Sequence, residues 1–199
     1  MARRIDIVSD THGYLAPELK REIDGCDLLI HAGDITSESN WAELEVSVPA
    51  IRGVLGNNDG FYAYGPEVVR LNEFTYEGLR FAVSHFRERL PLGDVDVAVC
   101  GHTHRAMIER LDGCLVINPG SASLPRGMRG PTIARLMVEA VKRIVIDPAV
   151  CKGCSKCARQ CPAGAISGEL KSPFHIDLTK CLRCGACITA CPFHAIREE

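Results

Sequence analysis

No apolar run in the sequence approaches the roughly 18 to 20 residues that would cross a bilayer. Asp6 and Asp10 interrupt the stretch that follows Met1-Ala2-Arg3-Arg4, so the start does not read as a signal peptide. Neither sign of charge dominates, with 23 Lys and Arg against 25 Asp and Glu. These absences exclude a helical membrane span and a strongly basic, nucleic-acid-like chain. They predict a cytoplasmic protein with no membrane partner, in a compartment where thiols stay reduced. With 46% hydrophobic and 24% charged residues the composition is that of an ordinary globular chain. Its 199 residues leave room for a domain of about 150 residues and a small second one.

Cysteine is the residue in excess. Eight of the eleven fall into two copies of C-x2-C-x2-C-x3-C-P: Cys151, Cys154, Cys157, Cys161 with Pro162, and Cys181, Cys184, Cys187, Cys191 with Pro192. The copies sit in a longer repeat, in which Ile146–Ile166 aligns with Ile176–Ile196 at nine identities in 21 positions. Thiolates are soft ligands suited to iron–sulfur clusters or zinc, but zinc sites usually pair two C-x2-C knuckles rather than triplets followed by C-P. The tail resembles the bacterial ferredoxins with two [4Fe–4S] clusters. The resemblance implies that the fourth cysteine of each run serves the other cluster. One cluster would then take Cys151, Cys154, Cys157 and Cys191, the other Cys181, Cys184, Cys187 and Cys161.

Residues 147–199 carry seven basic and five acidic side chains, leaving 16 and 20 for the rest, or +2 and −4. An oxidised cluster with its four thiolates adds about −2, so the loaded tail is about −2 and no specific nucleic-acid binding is expected. Ile166 and Ile196 are expected to cover the clusters. Without clusters the segment is expected to be unfolded or molten, because metal binding supplies much of the folding energy.

Upstream, short apolar runs alternate with helical stretches. Strands are predicted at Ile5–Val8, Leu28–Ile30, Ala50–Leu55, Leu79–Ser84, Val95–Val99, Leu115–Ile117 and Thr132–Val138, with a helix at Pro17–Ile23. The pattern predicts an α/β protein, a sandwich of sheets with reactive loops at strand ends. The expected division is 1–144 and 145–199, with Ala140–Ile146 able to serve either part.

Nearly every predicted strand runs into metal-ligand types: Asp10-Thr11-His12, Gly33-Asp34, Gly56-Asn57-Asn58-Asp59, His85, and Gly101-His102-Thr103-His104. A mixed oxygen and nitrogen set suits Mn, Fe, Ni, Co or Zn, and the adjoining glycines are expected to let the backbone turn sharply. The order D-x-H, GD, GN, H, GH-x-H resembles the calcineurin-like metallophosphoesterases, in particular their small bacterial and archaeal phosphodiesterases. Asn118-Pro119-Gly120-Ser121 and Leu124-Pro125-Arg126 also look like that branch.

The resemblance implies a β-sandwich flanked by helices, followed by the small α+β ferredoxin domain. It implies one divalent cation on Asp10, His12, Asp34 and His104, and another on Asp34, Asn57, His85 and His102, with Mn2+ expected first. Asp34 would bridge them. Hydrolysis of a small phosphodiester or phosphomonoester by a metal-bridging hydroxide would follow, with Asp34, Asn57, Asn58 and His85 at the reacting centre.

Two positions depart from the pattern. Many relatives have a proton-donating histidine where this chain has Asn58, and an amide is not a general acid. Phe86 stands where glycine often follows the ligand histidine, and its ring is expected to narrow the mouth or stack on a substrate.

Of the remaining residues, His31 and Asp59 are expected to support ligands, and His175 and His194 to pack or lie at the surface. Cys26, Cys100 and Cys114 are left over from the repeats; Cys100 reads as a buried small hydrophobe rather than a catalytic thiol, and Trp41 as part of an exposed helix. Asn118–Ser121 is read either as a turn or as a substrate contact. A redox partner protein and an oligomer are both compatible with the chain. The rival reading is an electron-transfer protein whose N-terminal domain is a catalytically silent scaffold.

Overall fold

The computed structural model describes residues 2–127, 130–139, 143–178 and 180–199. It divides into two compact units, Met1–Ala140 and Val141–Glu199. No helix among the described residues is long and apolar enough to cross a membrane.

The first unit runs β1 (Arg3–Val8), α1 (Pro17–Ile23), β2 (Leu28–His31), α2 (Glu38–Ser47), β3 (Ile51–Gly53), β4 (Asn72–Tyr76) and β5 (Leu79–Val83). It continues with β6 (Val97–Val99), β7 (Ala106–Leu111), β8 (Cys114–Pro119) and β9 (Ala134–Val138). One sheet has the order β3-β2-β1-β9 and the other β4-β5-β6-β8-β7. The inner strands β3-β2-β1 and β5-β6-β8 are parallel, and β9, β4 and β7 close the edges antiparallel.

Period-two alternation explains the layering. Ile5 and Ile7 of β1, with Leu28 and Ile30 of β2, meet Phe81, Val83, Val97, Val99 and Ile117 of the second sheet in one core. The opposite face of the first sheet packs Val8 and Leu29 against Leu19 and Ile23 of α1 and Leu44 of α2. Pro17 at the first turn of α1 and Ser37, whose Oγ accepts the Asn40 N–H at 3.2 Å, start the two helices. The sheets bring the C-terminal ends of β1, β2, β3, β5 and β6 to one side, so the loops that follow share a rim.

Two expectations are corrected. Trp41 does lie on a helix, but it is 3% exposed and packs with Ile35, Tyr64 and Val68. Its glutamate neighbours in sequence point elsewhere on α2, which hides an inward-facing indole from a composition argument. Strands β4 and β7 were not foreseen. Both are edges with alternating partial burial, so neither carries a continuous apolar run.

The second unit contains β10 (Ile144–Ile146), α3 (Lys156–Gln160), β11 (Ile166–Ser167), β12 (His175–Ile176), α4 (Ala186–Ala190) and β13 (Ile196–Glu198). β10 pairs with β13 and β11 with β12, both antiparallel. The expected boundary after residue 144 would cut β10, where Ile144 pairs with Glu198. The repeat is visible in the backbone: Gly153 and Arg183, Ser155 and Gly185, Gly164 and His194 take left-handed φ at matching places. Cys157, Cys187 and Cys191 belong to the small core with Ile144, Ile166, Phe174 and Ile196. The core is built around sulfur.

Candidate functional site

All seven ligand candidates of the first unit reach the common rim. Asp10 and His12 follow β1, Asp34 follows β2, Asn57 follows β3, His85 follows β5, and His102 and His104 follow β6. Five of them carry left-handed backbone: Asp10 at φ 54°, His12 at 47°, Asp34 at 55°, His102 at 67° and His104 at 57°. Such conformations cost about 1–3 kcal/mol each and persist where the surroundings over-determine them. The ligand residues themselves make the turns.

Gly56 and Gly101 serve a different purpose from the one expected. Neither has positive φ, but a Cβ on Gly56 would lie 2.1 Å from Asp34 Oδ1, and one on Gly101 would lie 2.0 Å from Ser9 Oγ. They are glycines because backbone and carboxylate approach too closely for a side chain.

Two groups form. Asp10, His12 and His104 offer ligand atoms within 4.8 Å of one another, as do Asp10, Asp34 and His85. His104 Nε2 is 3.1 Å from Asp10 Oδ1 and 3.3 Å from His12 Nε2. His85 Nε2 is 3.1 Å from Asn57 Oδ1, and His102 Nδ1 is 3.0 Å from the same oxygen. Asp34 Oδ2 lies 3.9 Å from His12 Nε2 and 3.6 Å from His85 Nε2, so it stands between the groups.

The tautomers sharpen this picture. His85 Nδ1–H donates to Ala32 O at 2.7 Å, and His104 Nδ1–H donates to Leu124 O at 2.5 Å. With Nδ1 so engaged, each ring directs its Nε2 toward the oxygens of Asn57 or Asp10. Asp10 Oδ1 is buried without a hydrogen-bond partner, and burial raises the Asp10 pKa above its ordinary value. An orphaned carboxylate oxygen among imidazole nitrogens is what a cation would satisfy, so the donor set fits divalent metal.

The supporting residues are more numerous than the sequence suggested. Asp59, 1% exposed, accepts from the N–H groups of Ile35, Thr36 and Gly56 at 3.3, 2.9 and 2.7 Å, and from Tyr64 O–H at 2.9 Å. It ties the Asp34 loop to the Asn57 loop. His31 is fully buried; its Nδ1 accepts from Gly33 N–H at 3.2 Å, so Nε2–H donates to Thr11 Oγ1 at 3.0 Å. Burial lowers its pKa to about 4, which keeps it neutral.

Asn118 and Ser121 are braces: Asn118 Nδ2 donates to Gly101 O at 2.7 Å, and Ser121 Oγ donates to Asp10 O at 2.7 Å. Both are buried, which assigns the segment to loop positioning rather than substrate contact. Asn58 and Phe86 lie against the ligands. Asn58 donates to Asp34, and the Phe86 ring sits 4.7 Å from His102 with Arg89 5.0 Å above it. Cys26 and Cys100 are buried and their thiols are pushed up to about 11, so neither is a nucleophile at neutral pH.

In the second unit, one cavity is lined by Cys161, Cys181, Cys184 and Cys187, another by Cys151, Cys154, Cys157 and Cys191. Ile166 lines the first and Ile196 the second. Among the described residues no three cysteine sulfurs lie within 4.8 Å of one another. A zinc ion, with Zn–S near 2.3 Å, would need its thiolates closer than that. A four-iron cluster gives each thiolate its own iron and holds them farther apart. Burial raises the Cys157 and Cys187 thiols, which only coordination would keep ionised.

Both units match known families. The model for the calcineurin-like phosphoesterase superfamily domain matches residues 4–141, and that for the 4Fe-4S dicluster domain matches residues 143–192. A probable metallophosphoesterase of Methanothermobacter thermautotrophicus is 33% identical, covering 69% of this chain and 87% of its own. A phosphodiesterase of Methanocaldococcus jannaschii is 32% identical, covering 59% of this chain and 82% of its own. Among solved structures, the vacuolar protein sorting 29 of Cryptosporidium parvum shares the fold with a TM-score of 0.59 at 19% identity, over 72% of this chain and 89% of that one.

Proposed function

The chain belongs to the calcineurin-like phosphoesterase superfamily and carries a 4Fe-4S dicluster domain, and from that membership we propose a dinuclear-metal phosphodiesterase with a C-terminal iron–sulfur module. The observation that carries the reading is the set of oxygen and nitrogen ligand atoms gathered on both sides of Asp34. Asp10, His12 and His104 would hold one cation with Asp34, and Asn57, His85 and His102 the other. Bound there, two divalent cations supply Lewis acidity that activates water and neutralises charge on the phosphoester.

The protein's own contribution is placement. Ala32 O and Leu124 O fix the rings of His85 and His104, Asp59 clips two loops together, and Ser121 holds the Asp10 backbone. Asn58 orients Asp34 but has no proton to give a leaving group. Esters with good leaving groups are therefore the favoured substrates.

The eight cysteines would hold two [4Fe–4S] clusters in the interleaved pairing. Phosphoester hydrolysis moves no electrons, so the clusters take no part in the hydrolytic step. They would report redox state, serve a redox partner, or ride as a passenger beside the esterase.

The test is hydrolysis of bis(p-nitrophenyl) phosphate by anaerobically reconstituted protein with Mn2+, comparing oxidised with dithionite-reduced clusters. Activity lost on chelation and restored by Mn2+ is expected. A difference between redox states assigns the clusters a regulatory role, and equal rates leave them as a docking module or a passenger. Protein that holds two Mn2+ and both clusters yet hydrolyses nothing would favour the silent-scaffold alternative.

A further inference from the structure

Several arginines of the first unit meet a carboxylate. Arg3 pairs with Asp27 and Glu77, Arg4 with Asp6, Arg80 with Asp96, Arg87 with Glu109, and Arg135 with Asp6 and Glu22. Arg105 and Arg126, like Arg52, Arg70, Arg89 and Arg110, do not, but these two share a groove. Among the described residues neither makes an ion pair, and both line one open groove with His104, Pro125 and Thr132, a lining without any acidic side chain.

The groove adjoins the metal-ligand loops through the backbone. Arg105 follows His104 directly, and the Arg126 N–H donates to His104 O at 3.2 Å. The His104 ring meanwhile turns Nε2 toward Asp10 and His12. The floor is fixed: Thr132 Oγ1 donates to Pro119 O at 2.7 Å, and Thr132 N–H donates to Ser121 O at 3.0 Å. Two arginines thus line a groove whose backbone is tied to the His104 loop, with no acidic side chain among the lining residues. Like charges gathered in one concavity repel one another and attract an anion that both can reach. Guanidinium forks match the oxygen geometry of a phosphate.

We infer that the Arg105–Arg126 groove is a subsite for a second anionic group of the substrate, a phosphate on the side that is not cleaved. The inference rests on the phosphodiesterase reading and narrows its substrate class to phosphoesters bearing a further phosphate. His104 divides the two sites: its ring serves the scissile phosphorus, and its backbone anchors the arginines that grip the distal group.

Binding tests the groove without requiring turnover. Alkyl phosphonates and alkylene bisphosphonates of increasing spacer length are titrated calorimetrically into the full chain, loaded with Mn2+ and freed of excess metal. The same series is run on R105Q/R126Q. The wild type is expected to bind the best bisphosphonate at least about tenfold tighter than its monophosphonate, the range of a charge-assisted hydrogen bond. The double variant is expected to lose that preference and keep its monophosphonate affinity. The preference is also expected to shrink with added salt, because the groove is open to solvent.

No preference in the wild type, or an equal one in the variant, overturns the subsite. Hydrolysis of p-nitrophenyl alkyl phosphates with and without a terminal phosphonate gives the kinetic counterpart. If none is hydrolysed the phosphodiesterase reading falls, while the calorimetric comparison still decides the groove.

Discussion

Asn58 donates two hydrogen bonds to Asp34, from its backbone N–H to Oδ1 at 2.8 Å and from its side-chain amide to Oδ2 at 2.6 Å. The residue that replaces the histidine of many relatives thus grips the carboxylate proposed to bridge two cations. It fixes Asp34 but has no transferable proton. Asn58→His should therefore raise kcat/KM for a diester with an alkyl leaving group by about tenfold or more. It should change the nitrophenyl rate little, since nitrophenolate leaves without a proton. Parallel kinetics on the two esters check this, and equal effects on both would contradict it.

Gly56 lies so close to Asp34 that a Cβ would come within 2.4 Å of its backbone nitrogen as well as 2.1 Å of Oδ1. Gly56→Ala should displace the carboxylate by a substantial fraction of an ångström. Misplacement on that scale costs about a hundredfold in rate. Measured kcat should fall accordingly while the visible cluster absorbance stays. A rate within about threefold of wild type would mean that the loop gives way freely.

His31 carries a pH consequence. Its ordinary pKa of 6.5 is lowered to about 4 by complete burial, so between those values the unfolded chain binds a proton that the folded chain refuses. Stability is unaffected above pH 6.5 and falls as the pH drops through the window, by about 3 kcal/mol at its lower end. Nitrogen NMR of the imidazole should show the neutral Nε2–H tautomer still present at pH 5. An imidazolium there would contradict the assignment.

The cavities sort the cysteines across the repeat, Cys161 with the second run and Cys191 with the first. Cys161→Ala and Cys181→Ala should then damage the same cluster. Their dithionite-reduced EPR spectra should match each other and differ from that of Cys151→Ala. A match between Cys161→Ala and Cys151→Ala would mean that each run serves its own cluster.

Much of the fold was legible because the inner strands are buried on both faces: Ile5–Val8, Leu28–Ile30 and Val97–Val99 read as apolar runs. β4 and β7 were not, since Glu73, Thr75, Glu109 and Arg110 break the pattern at edges that need little burial. The ligand types and their order could be read along the chain. What could not be read was how the backbone presents them. Left-handed φ at Asp10 or His104 leaves no compositional trace, and Gly101 looks like a turn until Ser9 is found against it. The bracing role of Asn118 and Ser121 depends on contacts to Gly101 and Asp10 that only the folded chain brings together. Trp41 was misread for the same reason: three nearby glutamates describe a helix surface, not the direction of one indole.

Asp34 stands between the two groups of candidate ligands, and the most direct test of its bridging role is hydrolysis of bis(p-nitrophenyl) phosphate by Mn2+-loaded wild type and Asp34→Ala. Losing a bridging ligand should lower the rate by at least about a thousandfold, on the order of 4 kcal/mol, and reduce bound Mn2+ while leaving iron content unchanged. An Asp34→Ala protein that keeps its metal and hydrolyses the ester at the wild-type rate would contradict the central claim.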